Sequence, residues 1–287
     1  MTSVKSHIME VDINMVDFKE KYGNNYVGIY ASPYDERDYK LNELIPKGAI
    51  DIPREYSSEL PPFIYHQGTS SECAACSYST IRYMQESDTE YGGSGIKERF
   101  SPSFTYSNRL EGEDFEGMYL RSVCKKGKEG SIPWSVFPGF YTYAQCKMKF
   151  LLNKSKWLEM AKPFRISSYY QCTSREQIQQ AIIECKAVLA GINVLPCIYE
   201  VKEDGVVHYD KNRDLTSYGG HAVTVVGWKF DDNNNLWYKV INSWGTIYGD
   251  NGIMWIPEKY PWLEQPWAIV DYVMETKWEE YKNKFKL

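Results

Sequence analysis

Two cysteines stand three residues apart in the stretch YHQGTSSECAACSYS, residues 65 to 79, and that spacing admits three chemistries. Cys73 and Cys76 could form a redox pair, half of a metal site, or one nucleophile beside a packing residue. A structural zinc site takes four ligands, usually from two such pairs. The other cysteines, at 124, 146, 172, 185 and 197, are singles and the four histidines lie at 7, 66, 208 and 221, so no metal is expected. A thioredoxin-type pair follows a strand in a βαβ unit. Here ELPPFIYHQGTSSE precedes Cys73, rich in proline and turn residues, and the redox case is the weaker one. The third case needs a base within hydrogen-bond reach, a group that orients the base, and donors for an oxyanion. His221 in YGGHAVTVVGW, Asn242 in KVINSWGTIYGDNGI and Gln67 supply candidates for all of these. His66 is a rival base, but nothing in the sequence orients it.

The elements that must position these residues can be read from periodicity. From Cys73 onward Ala74, Tyr78, Ile81 and Met84 recur at helical spacing, with Ser70 and Ser71 as candidate caps, which places Cys73 at a helix N-terminus. A second helix is predicted over 118–126, ending at Gly127. Ser174 to Gln177 matches a capping box, and Ile178, Ala181, Ile182 and Cys185 follow at helical spacing. Val188 to Val194 alternates as a strand does, and 222–230 and 236–242 read as two strands around the polar loop DDNNN. Any turn centred in that loop leaves His221 and Asn242 within about three to four residues of each other along the ladder. The chain is therefore helix-rich first and strand-rich second. Residues 1–54 read as an extension packed on the core, or as an inhibitory segment, and no internal repeat is visible.

These segments resemble the papain/cathepsin family of cysteine peptidases. The family's nucleophile pattern, Q-G-x-C-G-S-C-W-A, has a glutamine six residues ahead of the catalytic cysteine, as Gln67 stands to Cys73 in QGTSSECAA. That spacing selects Cys73, not Cys76. HAVTVVG resembles the histidine motif, and NSWG followed by GDNG resembles the asparagine motif. The family places histidine and asparagine roughly 130 to 150 residues beyond the cysteine; here the offsets are 221 − 73 = 148 and 242 − 73 = 169, so the asparagine lies somewhat farther. Ser70 replaces the motif's first cysteine, Ala74 the aromatic after the nucleophile, and Glu72 puts a carboxylate, which disfavours a thiolate, directly before Cys73.

The resemblance implies an α+β, two-lobed papain-like fold: a helical lobe, 55–168, carrying the nucleophile, and a β-barrel-like lobe, 169–287, carrying His221 and Asn242, with the cleft between them. It implies a cysteine endopeptidase with no cofactor, in which a Cys73 thiolate paired with protonated His221 attacks a polypeptide substrate and forms a thioester acyl-enzyme. Asn242 would hold the imidazole, Trp244 would shield that bond, and Gln67 would donate to the oxyanion. Gly117 and Met118 would bind the substrate main chain. Gly191, Gly220 and Ala222 would line its pockets, with room for a bulky apolar side chain. The alternatives are a catalytically silent binding protein of the same fold, and an acyl transferase or ligase that resolves the acyl-enzyme with an amine.

The bulk properties agree. The 287 residues are 43% hydrophobic, enough for a sizeable core. Thirty-three basic against 38 acidic residues leave a net charge of −5 with no long block of one sign, so no nucleic-acid partner is expected. The 24 tyrosines and nine tryptophans lack the basic interleaving that base stacking needs. No apolar run suggests a signal peptide or a membrane span, and seven scattered cysteines do not suggest a disulfide framework. A monomer in a reducing compartment, cytoplasmic or virus-associated, is the expectation.

Overall fold

The helix that starts at the nucleophile candidate, α1 (Cys73–Glu86), is buried along its whole length. Apolar positions on every side explain this, since a helix without a solvated face has to lie inside the protein. The computed structural model describes residues 28–38, 40, 51–112, 115–139, 143–271 and 278–286. The one strong charge in the middle of α1 is matched in place: Arg82 Nη2 lies 2.5 Å from Glu86 and Nη1 lies 2.7 Å from Asp271, so the guanidinium is not left unpaired in the core. Ser70 and Ser71 do not cap α1. Glu72 occupies the cap position without a side-chain bond to the helix, and the Ser70 hydroxyl turns back to Gln67 O instead.

Nine strands are described: β1 (Ile29–Tyr30), β2 (Glu55–Ser57), β3 (Met118–Tyr119), β4 (Ile166–Gln171), β5 (Val188–Asn193), β6 (Gly220–Phe230), β7 (Leu236–Ile241), β8 (Ile253–Pro257) and β9 (Trp262–Asp271). They form one sheet in the order β3-β1-β6-β5-β9-β4, with β2 and β7 also on β6 and β8 on β7. Among the described residues this sheet is open, so the expected barrel-like closure is corrected to an open sheet. Strand β6 is buried without a break from Gly220 to Trp228 because both of its faces are covered. Val223 and Val225 point into one core with Ile178, Ala181 and Ile182 of helix α6 (Arg175–Cys185). Ala222 and Val226 point into the other with Cys73, Tyr78 and Ile81 of α1.

The remaining described helices are α2 (Pro102–Ser107), α3 (Leu120–Gly127), α4 (Tyr143–Leu152), α5 (Lys154–Ala161), α7 (Pro196–Tyr199) and α8 (Trp278–Phe285). The helix predicted over 118–126 starts two residues later, because Met118 and Tyr119 pair as strand β3. Ser101 caps α2 by accepting from Phe104 N at 3.1 Å. At α6 only half of the capping box forms. Ser174 Oγ accepts from Gln177 N at 3.3 Å, while Gln177 Oε1 accepts from Thr173 N rather than from the cap residue.

Candidate active site

The β6–β7 hairpin turns at Asp231–Asn235, where Asp231 N donates to Asn235 O at 3.0 Å. Its ladder pairs Thr224 with Ile241, so Asn242 continues opposite Val223, two residues from His221. The side chains meet: His221 Nε2 lies 2.7 Å from Asn242 Oδ1. That oxygen also accepts from the Ser243 backbone N–H at 2.7 Å, which fixes it as the acceptor and therefore makes Nε2 the protonated imidazole nitrogen. Nδ1 keeps its lone pair, buried and without a hydrogen-bond partner among the described residues. The Trp244 ring lies over His221 at 4.7 Å and is itself stacked by Tyr199 and met edge-on by Tyr248.

Cys73 reaches the same place from α1. Its sulfur accepts from the Ala222 N–H at 3.5 Å, one residue beyond His221, and Thr224 Oγ1 donates to Ser77 O at 3.1 Å to fasten β6 along the helix. Gln67 arrives on the segment before the helix. Gln67 N donates to Ser243 O at 2.9 Å and Ser243 Oγ donates to Gln67 Oε1 at 2.7 Å, while Gln67 Nε2 donates to Ser70 O at 2.9 Å. Ser243 thus ties Gln67 to Asn242. Ser243 stands inside NSWG, where its residue type alone does not mark it as this tie. Cys76 is buried in the core one turn on, and all seven cysteines are free thiols. Among the described residues no three His, Cys, Asp or Glu side chains are grouped to hold a metal, and no helix is long and apolar enough to cross a membrane.

The residues expected to bind substrate are gathered around the chain's own N-terminal arm. Gly28 N donates to Gly220 O at 3.0 Å, Met118 N donates to Gly28 O at 2.9 Å, and β1 runs parallel to β3. Gly117, at φ +108°, must be glycine here, since a Cβ would stand 2.1 Å from Gly28 O. Ile29 fills the space left by Gly191, where a Cβ would meet its Cδ1 at 2.8 Å, and it shares the core of Leu120 and Ala222. Tyr30 leans on Phe115 at 5.0 Å. Past the cleft the arm is pinned by Ser32, which donates from N and Oγ to the Glu264 carboxylate, and by Arg121, which donates to Pro33 O and Asp38.

This cover sets the protonation states. Burial pushes the Cys73 thiol up to about 11, although the N–H groups of Ala222, Ala74 and Gly28 favour its anion. Burial also takes His221 down to about 4 against the opposing effect of its Asn242 bond. Burial therefore disfavours the charge on each member of the expected thiolate–imidazolium pair in this closed arrangement.

The sequence pattern of the papain family cysteine proteases matches residues 114–262, just over half of the chain, and the chain belongs to that family. The matched stretch contains His221 and Asn242 and begins beyond Cys73. Two curated relatives come from Caenorhabditis elegans. Cathepsin B-like cysteine proteinase 3 is 29% identical over 152 residues, 51% of this chain and 37% of that protein. Cathepsin B-like cysteine proteinase 4 is 31% identical over 128 residues, 43% of this chain and 36% of that protein. The aligned stretch thus spans little more than a third of either relative. Among solved structures, xylellain, a cysteine protease from Xylella fastidiosa, superposes with a TM-score of 0.73 at 20% identity, covering 87% of this chain and 97% of that one. Procathepsin B S9 from Trypanosoma congolense superposes with a TM-score of 0.64 at 16% identity, covering 92% and 98%. The fold is the papain-like α+β fold.

Proposed function

We propose that this chain is a cysteine peptidase that hydrolyses peptide bonds through Cys73, His221 and Asn242, described here in a latent form with its own arm across the cleft. The observation that carries this is the orientation of His221: Nε2 is committed to Asn242, and Nδ1 keeps an open lone pair beside the residue whose N–H touches the Cys73 sulfur. In this reading His221 Nδ1 takes the thiol proton once the arm leaves. The thiolate adds to the substrate carbonyl, and the oxyanion is met by the Cys73 N–H and the Gln67 amide. His221 then gives its proton to the leaving amine, leaving a thioester that water cleaves with His221 as base. Trp244 keeps solvent from the His221–Asn242 bond. No cofactor is called for, and the substrate is a polypeptide.

Residues 55–168 and 169–287 are proposed as the two lobes, with residues 28–38 as the arm that crosses between them; residues 1–27, 39 and 41–50 of the expected N-terminal extension lie outside the described residues. The pocket around Ile29 favours a branched aliphatic side chain in a bound peptide. Profiling a peptide library with the wild type and Cys73→Ala tests the assignment. Hydrolysis is expected to disappear in the variant, and a variant that cuts at the wild-type rate would sink it.

A further inference from the structure

Charge is spread unevenly along the chain. Residues 143–165, which hold helices α4 and α5 and the segment after them, contain six basic residues and one acid, Glu159, a net 6 − 1 = +5. The whole chain carries −5, so the rest carries −5 − 5 = −10. Helix α4 is two-faced within this stretch. Cys146 and Phe150 point inward and pack with Phe104, Phe137 and Met160, which is the contact that seats the helix. On the opposite face Met148, Leu151 and Leu152 fall within about 100° of arc, with Lys147 to one side and Lys149 to the other. These three apolar side chains are 63%, 54% and 73% exposed. One exposed leucine is ordinary. Three neighbours bracketed by lysines make the pattern of a helix that lies in a membrane interface.

The fold gathers further cations at the same corner. Lys154 and Lys156 are exposed at the start of α5. Lys154 Nζ lies 6.0 Å from the Phe150 ring and Lys156 Nζ 5.3 Å from the Trp157 ring, so both stay beside α4. Helix α8 brings Lys284 to 4.0 Å from Glu159, with Phe285 packed beside Trp157 and Leu158. Helix α3 brings Lys126, which holds Glu129 at 2.9 Å, and the same carboxylate feels Lys154. Each of these two acids therefore already stands beside a lysine. Lys147 and Lys149 are drawn toward the protein, the first donating to Ser107 O at 2.9 Å and the second lying over the Phe137 ring at 4.3 Å. Lys154 and Lys156 are the cations best placed to meet something outside.

Side chains exposed this far stand out from the surface instead of lining a groove, which suits a soft interface better than a rigid partner. The charge beside them selects an anionic one. We propose that the α4–α5 corner docks on an anionic phospholipid surface, with Met148, Leu151 and Leu152 entering the boundary between headgroups and acyl chains and Lys154 and Lys156 pairing with the headgroups. The ten-residue α4 lies on the bilayer and does not cross it. Repulsion turns the remaining −10 away from the same surface, so one orientation is favoured. Neither Cys73 nor His221 takes part, and the proposal stands apart from the peptidase reading.

The test floats the full chain with phosphatidylcholine vesicles, and with vesicles that also contain phosphatidylserine, and reads the bound fraction. Binding to the mixed vesicles and not to phosphatidylcholine alone is expected, weakening as salt rises. Lys154→Gln combined with Lys156→Gln should lower the partition coefficient about 25-fold, about fivefold for each lysine at an anionic surface. Leu151→Ser combined with Leu152→Ser should lower it about tenfold or more. Both leucines are already in solvent, so the circular dichroism and urea midpoint of that variant should match wild type. Cys73→Ala should bind as wild type does. A chain that binds neither vesicle overturns the proposal, and equal binding to both lipids overturns the role of the anionic headgroups. A leucine variant that binds as tightly as wild type overturns the apolar insertion. Retention on an immobilised acidic peptide, with the mixed vesicles left bare, would make a protein the occupant and overturn it too.

Discussion

If the arm is what silences the cleft, shortening the side chain that anchors it should open the site by a calculable amount. Ile29 is 3% exposed and occupies the space between Gly191, Leu120 and Ala222. Ile29→Ala removes most of that contact. Large-to-small substitutions of this kind cost about 2–5 kcal/mol in closed cores, and the lower end applies to a short edge segment that can relax. A cost of about 2 kcal/mol is about a 30-fold increase in the open population. When opening is fast relative to chemistry, alkylation of Cys73 by iodoacetamide and turnover of a peptide substrate both rise by that factor. The assay measures the two rates on the full chain, with circular dichroism to establish that the fold is kept. Gly28→Ala provides an independent route to the same end, since a Cβ there would stand 2.4 Å from Ser71 O. A folded Ile29→Ala whose Cys73 reacts within about twofold of wild type would refute the reasoning, because a 2 kcal/mol loss cannot hide in that margin.

Gln67→Ala, measured in that opened background, should reduce kcat by about 10² to 10³ with little change in KM, the effect of removing one oxyanion donor; a matching rise in KM would point to substrate binding instead. His221 gives a pH signature in stability. Its folded pKa of about 4 lies below the unfolded 6.5, so the unfolded chain takes up a proton that the folded chain refuses. The stabilisation is full above 6.5 and is lost as pH falls toward 4, by up to about 3 kcal/mol. Urea midpoints of wild type should therefore fall more steeply across this window than those of His221→Gln, and parallel slopes would contradict the buried neutral imidazole.

What could be foreseen in the sequence was whatever local pattern controls. The apolar spacing after Cys73 gives α1 its first residue, and the loop DDNNN together with two apolar runs brings His221 to Asn242, because antiparallel register follows from the turn. The spacing from Gln67 to Cys73 picks out the cysteine whose sulfur meets β6. The rest depends on distant partners. Ser70 and Ser71 look like caps in isolation, yet the docking of 65–67 onto 243–245 turns Ser70 toward Gln67. Glu72 looks like a plain charge beside the thiol, while in the fold its carboxyl is a hydrogen-bond acceptor for Ser103 Oγ of α2. Residues 28–32 carry no periodicity that announces a strand, and their place is fixed by Gly220, Met118 and Glu264, all far along the chain. Sheet closure was misjudged for a related reason, since alternation along a strand reports its faces and not whether its sheet meets itself.

Strand β6 gathers nearly every contact of the proposed site within five residues: Gly220 O holds the arm, His221 is the proposed base, Ala222 N touches the sulfur and Thr224 grips α1. A slip of one residue in its pairing would turn all of these to the opposite face together. On the proposed reading, a copy that pairs β6 wrongly would lose the alignment of Cys73, His221 and the arm seat in one stroke, and would be inert rather than unrestrained.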